Sequence, residues 1–199
     1  SKNSPKFDFF ASDQFSSKVA AAVEGSFLNT DGFPIVAAPE RGPIDNNADV
    51  QYKNISTKLE FTPSERIQSF FRAGYFSESR VNGKVGEVND TRWTTLNGGV
   101  RARLADGSDL QARVFGDVSR AHFNFLAVTN AATTRNVVRL ATDQNVPTNG
   151  VGGMTQWSKS IGPSNVFSAG FDFRWVDGDS QEAAYVASVP TSITGVTQA

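Results

Sequence analysis

Tyr52-Lys53-Asn54-Ile55-Ser56-Thr57-Lys58-Leu59-Glu60-Phe61 is the stretch that decides the fold. Successive side chains of a strand point to opposite faces, so Ile55, Thr57, Leu59 and Phe61 share one face while Asn54, Ser56, Lys58 and Glu60 share the other. After Pro63-Ser64-Glu65-Arg66 the pattern resumes, with Phe71, Ala73 and Tyr75 opposed to Gln68, Arg72 and Glu78 and with Phe70 and Phe76 breaking the alternation. From Trp93 to Leu104, Leu96, Val100, Ala102 and Leu104 oppose Thr95, Asn97, Arg101 and Arg103. Across the Asp-Gly turn Ala105-Asp106-Gly107-Ser108-Asp109, Leu110, Ala112, Val114 and Val118 oppose Gln111, Arg113, Asp117 and Ser119, which reads as a hairpin. Phe167, Ala169, Phe171, Phe173 and Trp175 then form an unbroken stripe against Ser168, Gly170, Asp172 and Arg174.

Extended outward, this period predicts an all-β chain: an antiparallel up-and-down meander of about eight long strands near 6–12, 17–29, 50–62, 67–80, 92–104, 110–120, 151–161 and 166–177. Alternation alone suits a soluble sandwich and a membrane barrel equally. Three features favour the barrel. A tilted strand needs roughly 9–11 residues to cross hydrocarbon, and these segments supply them. Mixed charge recurs on one face, as in the lining of a wide barrel. The connections alternate between short (12–17, 63–66, 105–109, 162–165) and long (30–49, 81–91, 121–150), like the periplasmic turns and outer loops of such barrels.

A net charge of −1 and the lack of any basic stripe argue against nucleic acid as a partner. No cysteine is present, which excludes disulfides and thiolate metal sites. The longest aliphatic run, Val19 to Val23, is far short of the roughly 18 residues of a membrane helix, so any span must be made of strands. There are 16 phenylalanines, and the aromatics Phe7, Phe9, Phe10, Phe27, Phe61, Trp93, Trp157 and Trp175 gather near strand ends as interfacial girdles do. The chain reads as a piece of a longer one, with a Ser/Thr/Gly-rich end (190–199) that carries no strand and with two unpaired sheet edges.

Catalytic, metal and cofactor motifs are weak. His122 is the only histidine, and a dyad with Ser119 lacks an oxyanion hole and a third member. Asp45-Asn46-Asn47-Ala48-Asp49 begins like a calcium loop but has Val50 where glycine belongs and Ser56 where a bidentate glutamate belongs. Gly150, Gly152 and Gly153 form no phosphate cradle and read as a bend or bulge where a loop enters a strand. Neither an enzyme, a metal site nor a cofactor follows from these residues.

Asp8-Phe9-Phe10-Ala11-Ser12-Asp13, Asn29-Thr30-Asp31-Gly32-Phe33, Glu40-Arg41-Gly42-Pro43-Ile44-Asp45, Phe71-Arg72-Ala73-Gly74-Tyr75-Phe76, Asn89-Asp90-Thr91 and Gln156-Trp157-Ser158 follow one another along residues 6–186. In order and spacing they resemble the barrel portion of TonB-dependent outer-membrane receptors, particularly the group with a carboxypeptidase-regulatory-like domain before the plug. The resemblance implies a 22-stranded barrel closed by a plug, taking up a scarce nutrient with energy from the TonB complex. Plug, TonB box and most of the barrel are missing from this stretch.

On that reading the chain is a partial barrel segment in the outer membrane of a Gram-negative-type bacterium. Ile55, Leu59, Phe71, Leu96, Val100, Val114, Phe167, Phe171 and Phe173 face lipid, while Lys58, Glu60, Arg72, Glu78, Arg101, Arg103, Arg113, Asp117, Asp172 and Arg174 line the lumen. Phe33, Arg41, Arg80 and Asp90 are the ligand-facing loop candidates. The partners are outer-membrane lipid, the remaining strands and plug, TonB through that plug, and an unknown nutrient. Two rivals stand beside it: a self-contained eight-stranded barrel acting as adhesin or anchor, and a soluble β-sandwich binding module.

Overall fold

A computed structural model describes residues 3–129, 134–186 and 189–198. These form one antiparallel sheet in strict sequence order. The strands are β1 (Lys6–Ser16), β2 (Val19–Pro34), β3 (Asn47–Ser64), β4 (Ile67–Val81), β5 (Val88–Arg103), β6 (Asp109–Thr129), β7 (Val137–Ile161), β8 (Asn165–Val186) and β9 (Val189–Gln198). All eight expected strands are present. A ninth lies where the sequence suggested none, pairing with the upper part of β8 from Val186↔Val189 to Gly178↔Gln198. Each strand touches only its sequence neighbours, so β1 meets neither β8 nor β9 and the sheet stays open. That leaves the closed eight-stranded barrel without its closing pair.

No second layer covers either face. Ile44 is the one buried large hydrophobic side chain among the described residues, while Leu59 is 52 % and Phe171 66 % exposed. A soluble domain rarely leaves so large a contiguous apolar surface bare, and the sandwich reading fails on this point.

The ladder settles which side chains share a face. Ala21, Leu59, Phe71, Gly98, Val114, Gly153 and Phe173 form one cross-strand row. The adjacent row runs Ala22, Lys58, Arg72, Asn97, Phe115, Gly152 and Arg174. Counting by twos along each strand, the nine residues assigned to lipid all fall on the first face and the ten assigned to the lumen all fall on the second. Phe70 and Phe76, which disturbed the alternation, lie on the charged face, as do Phe10 and Trp93. The last two therefore do not belong to a girdle on the apolar face.

The apolar band is bounded. On β8 it runs from Phe167 to Trp175, nine residues or about 27 Å along the strand, and a tilt of about 35–45° reduces this to roughly 20 Å of height. Toward the long loops the same face turns polar at the row Asn29, Gln51, Ser79, Asp90, His122, Asn145 and Gln181. Strands nevertheless continue past it: β6 reaches Thr129, and β7, with 25 residues, starts at Val137. The stretch 121–150 is thus mostly a strand arm, not a loop: β8 continues beside β7 as far as Thr142↔Ala184 and β9 beside β8, leaving β6 and β7 alone only at the outermost end. Hydrogen-bonded pairing persists there although the apolar residues are scattered, with Phe123 and Phe125 on one face at 6.5 Å between ring centres, and Pro147, which has no N–H to donate, sits where β7–β8 pairing lapses between Asn145↔Gln181 and Thr148↔Gly178.

Gly150, Gly152 and Gly153 lie inside β7, and the register runs through them unshifted, so they mark no bulge. They make room for rings. Phe9↔Gly25, Phe70↔Gly99, Phe71↔Gly98, Phe115↔Gly152 and Phe173↔Gly153 are all direct cross-strand pairs. A Cβ on Gly152 would stand 2.3 Å from the Phe115 ring and 2.9 Å from the Phe173 carbonyl oxygen. Gly152→Val should therefore cost about 1–3 kcal/mol through overpacking. Urea unfolding in lipid vesicles measures this, and Phe115→Ala in the same chain should recover part of the loss.

Candidate functional site

The charged face carries a network spanning several strands. Arg72 on β4 reaches across β3, its Nε donating to Ser56 Oγ at 2.9 Å and its Nη2 to Glu24 Oε1 of β2 at 2.5 Å. Lys58 pairs with Glu60 at 2.5 Å, Arg101 with Asp109 at 2.8 Å, and the Arg113 guanidinium sits 5.7 Å from the centre of the Phe70 ring. Apart from the more covered Asp109, the paired charges are about half exposed, the regime in which an ion pair contributes little net stability and exchanges readily with water or another partner. Above Arg72, Asn54, Tyr52, Phe76 and Trp93 line a hollow of about 440 Å³, where Tyr52 and Phe76 have ring centres 6.2 Å apart. Sequence reasoning missed this hollow because Phe76 looks like a break in the alternation and Trp93 like a strand-end girdle residue; only the register shows them to be neighbours.

At the long-loop end the connections are fastened together. The loop 35–46, with a 3-10 turn at Ala38–Glu40, ends at Asp45, whose carboxylate is 1 % exposed and accepts from Arg135 Nε at 2.7 Å and Nη2 at 2.6 Å. Hydrogen bonding from Arg135 draws the Asp45 carboxyl down to about 2, against an opposing desolvation, with the Gly42 N–H adding to the effect. Gly42 must be glycine for this approach: a Cβ there would lie 2.3 Å from the carbonyl oxygens of Thr134 and Arg135. The loop 82–87 is held by Lys84, which bonds Glu87 at 2.5 Å and the Leu126 carbonyl at 2.8 Å, while Glu87 accepts the Leu126 N–H at 2.8 Å. Val85 N–H donates to the Ile44 carbonyl, joining the two loops to each other as well as to the arm. Sequence inspection did not select Asp45, Lys84, Glu87 or Arg135 for this role, since the contacts that fasten the loops to the arm join positions 39 to 90 apart.

The four loop candidates are not brought together. Phe33 is 64 % exposed and pairs with Ala48 on the charged-face side of a bulge. Arg80 shares that face and is tied to Glu78. Arg41 donates to its own loop at the Val36 carbonyl, 2.7 Å away. Asp90 lies on the other face, opposite Ser79 and His122.

The remaining motifs are absorbed by structure. Ser119 and His122 sit on opposite faces of β6, and His122 Nε2 is 2.6 Å from Asp143 Oδ1, so the pair forms no dyad. Asp45 points at a guanidinium rather than a cation site. At the short-turn end, Gly107 takes a φ of 82° and Asp106 is held below the usual carboxylate range, chiefly by hydrogen bonding from Lys159 and then from Ser108.

No family model and no curated protein matches this chain. Among solved structures it is similar to the ferric enterobactin receptor PfeA of Pseudomonas aeruginosa, with 12 % identity over 92 % of this chain and 35 % of that one and a TM-score of 0.50. A second crystal structure of that receptor gives 12 % identity, coverage of 91 % and 34 %, and a TM-score of 0.49. The siderophore receptor PiuA of Acinetobacter baumannii follows at 10 % identity, 93 % and 40 % coverage and a TM-score of 0.41. These are receptors, not enzymes. The chain spans about a third of the length of the enterobactin receptor, and what the two share is the fold: an up-and-down antiparallel β-sheet.

Proposed function

We propose that this chain is a wall sector of a TonB-dependent outer-membrane receptor for active uptake of a scarce nutrient. The observation that carries the reading is the separation of faces over the sheet: nine large apolar side chains on one, ten charged ones on the other, with the apolar band ending where the strands rise into arms. The apolar face meets acyl chains, and the charged face meets the lumen and plug. The half-exposed ion pairs around Arg72 and Arg101 hold the plug by contacts that water can replace. The fastened loops at the arm end present the first surface a nutrient meets. The barrel fold of the enterobactin receptor, of which this chain spans a third, supports the same reading.

Three tryptophans test it. Trp157 and Trp175 share the apolar face, and Trp93 lies on the charged one. In single-tryptophan versions of the full-length protein reconstituted with brominated acyl chains, fluorescence of Trp157 and Trp175 should be strongly quenched and that of Trp93 spared. Equal quenching of all three would reject the assignment of faces. Uptake itself is tested by nutrient-limited growth of cells lacking the protein, which should fail to be restored when the proton-motive force is collapsed.

A further inference from the structure

One row of the charged face carries no charge from β2 to β8: Ser26, Asn54, Phe76, Trp93, Ser119, Thr148 and Gly178 are successive cross-strand partners. At about 4.8 Å per strand it extends roughly 29 Å around the wall. Its middle borders the hollow of about 440 Å³, which Gly74 opens by placing no side chain between Ser56 and Thr95 in the row beneath. Phe76 and Trp93 stand side by side, and Tyr52 closes the loop side with its ring centre 6.2 Å from that of Phe76. Asn54, Ser26 and Thr95 add an amide and two hydroxyls. Trp93 is 46 % exposed, so its ring is presented to the lumen and not packed away. The cations around it are already engaged. Loopward of the row that holds Lys58, Arg72 and Arg174, the strands carry three cations on this face among the described residues. Lys6 pairs with Asp8 at 3.0 Å, Arg80 pairs with Glu78, and Arg139 donates to the Tyr185 carbonyl at 3.0 Å. Asp117 and Glu182 share the same region, and Arg72 at its border is held by Glu24.

We propose that this row and its hollow bind an uncharged oligosaccharide, so that the nutrient is a neutral glycan and not an anionic metal chelate. A sugar ring has C–H faces that pack on aromatic rings and a rim of hydroxyls that needs neutral donors and acceptors. Phe76 and Trp93 supply the platform, and Asn54, Ser26 and Thr95 supply the polar partners, the combination of apolar wall and few placed polar groups that fixes a small ligand. Past the hollow the row continues through Ser119 and Thr148, where further units of the same chain find hydroxyls without meeting a charge. An anionic ligand would have to draw Lys6 or Arg80 from its carboxylate and approach Asp117 and Glu182, and juxtaposed like charges are costly. The proposal rests on the charged face being the lumen of a receptor, and it names the class of ligand that this wall takes.

The test uses the full-length protein in neutral detergent, with maltohexaose, cellohexaose and N-acetylchitohexaose as neutral probes and a ferric tris-catecholate complex as the anion. In the single-tryptophan version that keeps Trp93, at least one hexasaccharide should shift its emission to shorter wavelength saturably and shield it from acrylamide. The Kd should change less than about twofold between about 50 and 500 mM NaCl, since no ion pair forms. By calorimetry, Trp93→Ala and Phe76→Ala should each weaken binding about tenfold or more, and Trp93→Tyr should bring it back to within about threefold of the wild type. Saccharide binding that survives both alanine changes overturns the proposal, and so does binding of the ferric complex with none of the hexasaccharides. A Trp93 already shielded from acrylamide without saccharide also overturns it, because the plug would then fill the hollow. Quenching of Trp157 and Trp175 by brominated chains verifies that the variants fold and separates the two levels. If quenching holds while no hexasaccharide binds, only the ligand class is lost; if quenching is absent, the assignment of faces falls with it.

Discussion

Phe171→Arg should lower folding stability in a bilayer by about 2–4 kcal/mol, and Leu59→Arg should do the same. Both side chains sit near the middle of the apolar band, half or more exposed and uncovered by any other part of the sheet. A guanidinium at Phe171 has no acidic neighbour on its face and must either leave water or drag water into the hydrocarbon, whereas one at Leu59 has Asp13 in its row two strands away, which places its expected loss at the lower end of that range. Ser168→Arg is the matched control, since Ser168 is exposed, lies on the charged face and pairs with Ser158. Its expected change is within about 0.5 kcal/mol. Ser56 is not an equivalent control although it shares that face: it is 7 % exposed and accepts the Arg72 Nε hydrogen bond, so arginine there would displace an existing guanidinium. Denaturant titration in vesicles gives the comparison. Equal losses at Phe171 and Ser168 would mean that acyl chains do not touch the apolar face.

Arg135→Ala should free the long loops from the arm. It leaves the Asp45 carboxylate, 1 % exposed, with the Gly42 N–H as its remaining hydrogen-bond donor, and an unsatisfied buried acceptor costs about 1–3 kcal/mol. Because β1–β5 do not depend on this contact, the loss should appear locally, as faster amide exchange at Ile44 and Asp45 with exchange at Leu59 unchanged. Asp45→Ala combined with Arg135→Ala should cost less than the two single changes added together, since the second change removes a group already stranded by the first. The pH dependence has a fixed sign. The folded Asp45 carboxyl titrates near 2 against an ordinary value of 3.8, so the fastening is at full strength above about pH 4 and weakens as pH falls through 2. Amide exchange across that range, with correction for its intrinsic pH dependence, measures the effect.

The outcome at Gly152 bears on how the sheet is packed. If Gly152→Val is tolerated, the Phe115 ring has freedom that the register does not suggest. If it is costly, the recurring phenylalanine–glycine pairs are what lets rings lie across neighbouring strands in a sheet with no second layer to pack against.

From the amino-acid order alone came the β class, the eight strands from Lys6 to Trp175, and the shared face of the nine apolar and of the ten charged side chains assigned to the two sides, but not the face of Phe10, Phe70, Phe76 or Trp93. Alternation is a local signal, written by the difference between two media on the two sides of a strand, so it is readable wherever those media differ. It weakens where neither side is uniformly apolar. That is why 121–150 looked like a loop although β6 and β7 pair through most of it, and why Val189–Gln198 looked like a tail although it pairs with β8. Tertiary structure alone decided the contacts that depend on register and on distant positions: Asp45 with Arg135, Arg72 with Glu24, rings laid against glycines, and Phe76 beside Trp93. None of these leaves a periodic trace along the chain, because each is set by which residues the hydrogen-bond ladder and the loop paths bring side by side.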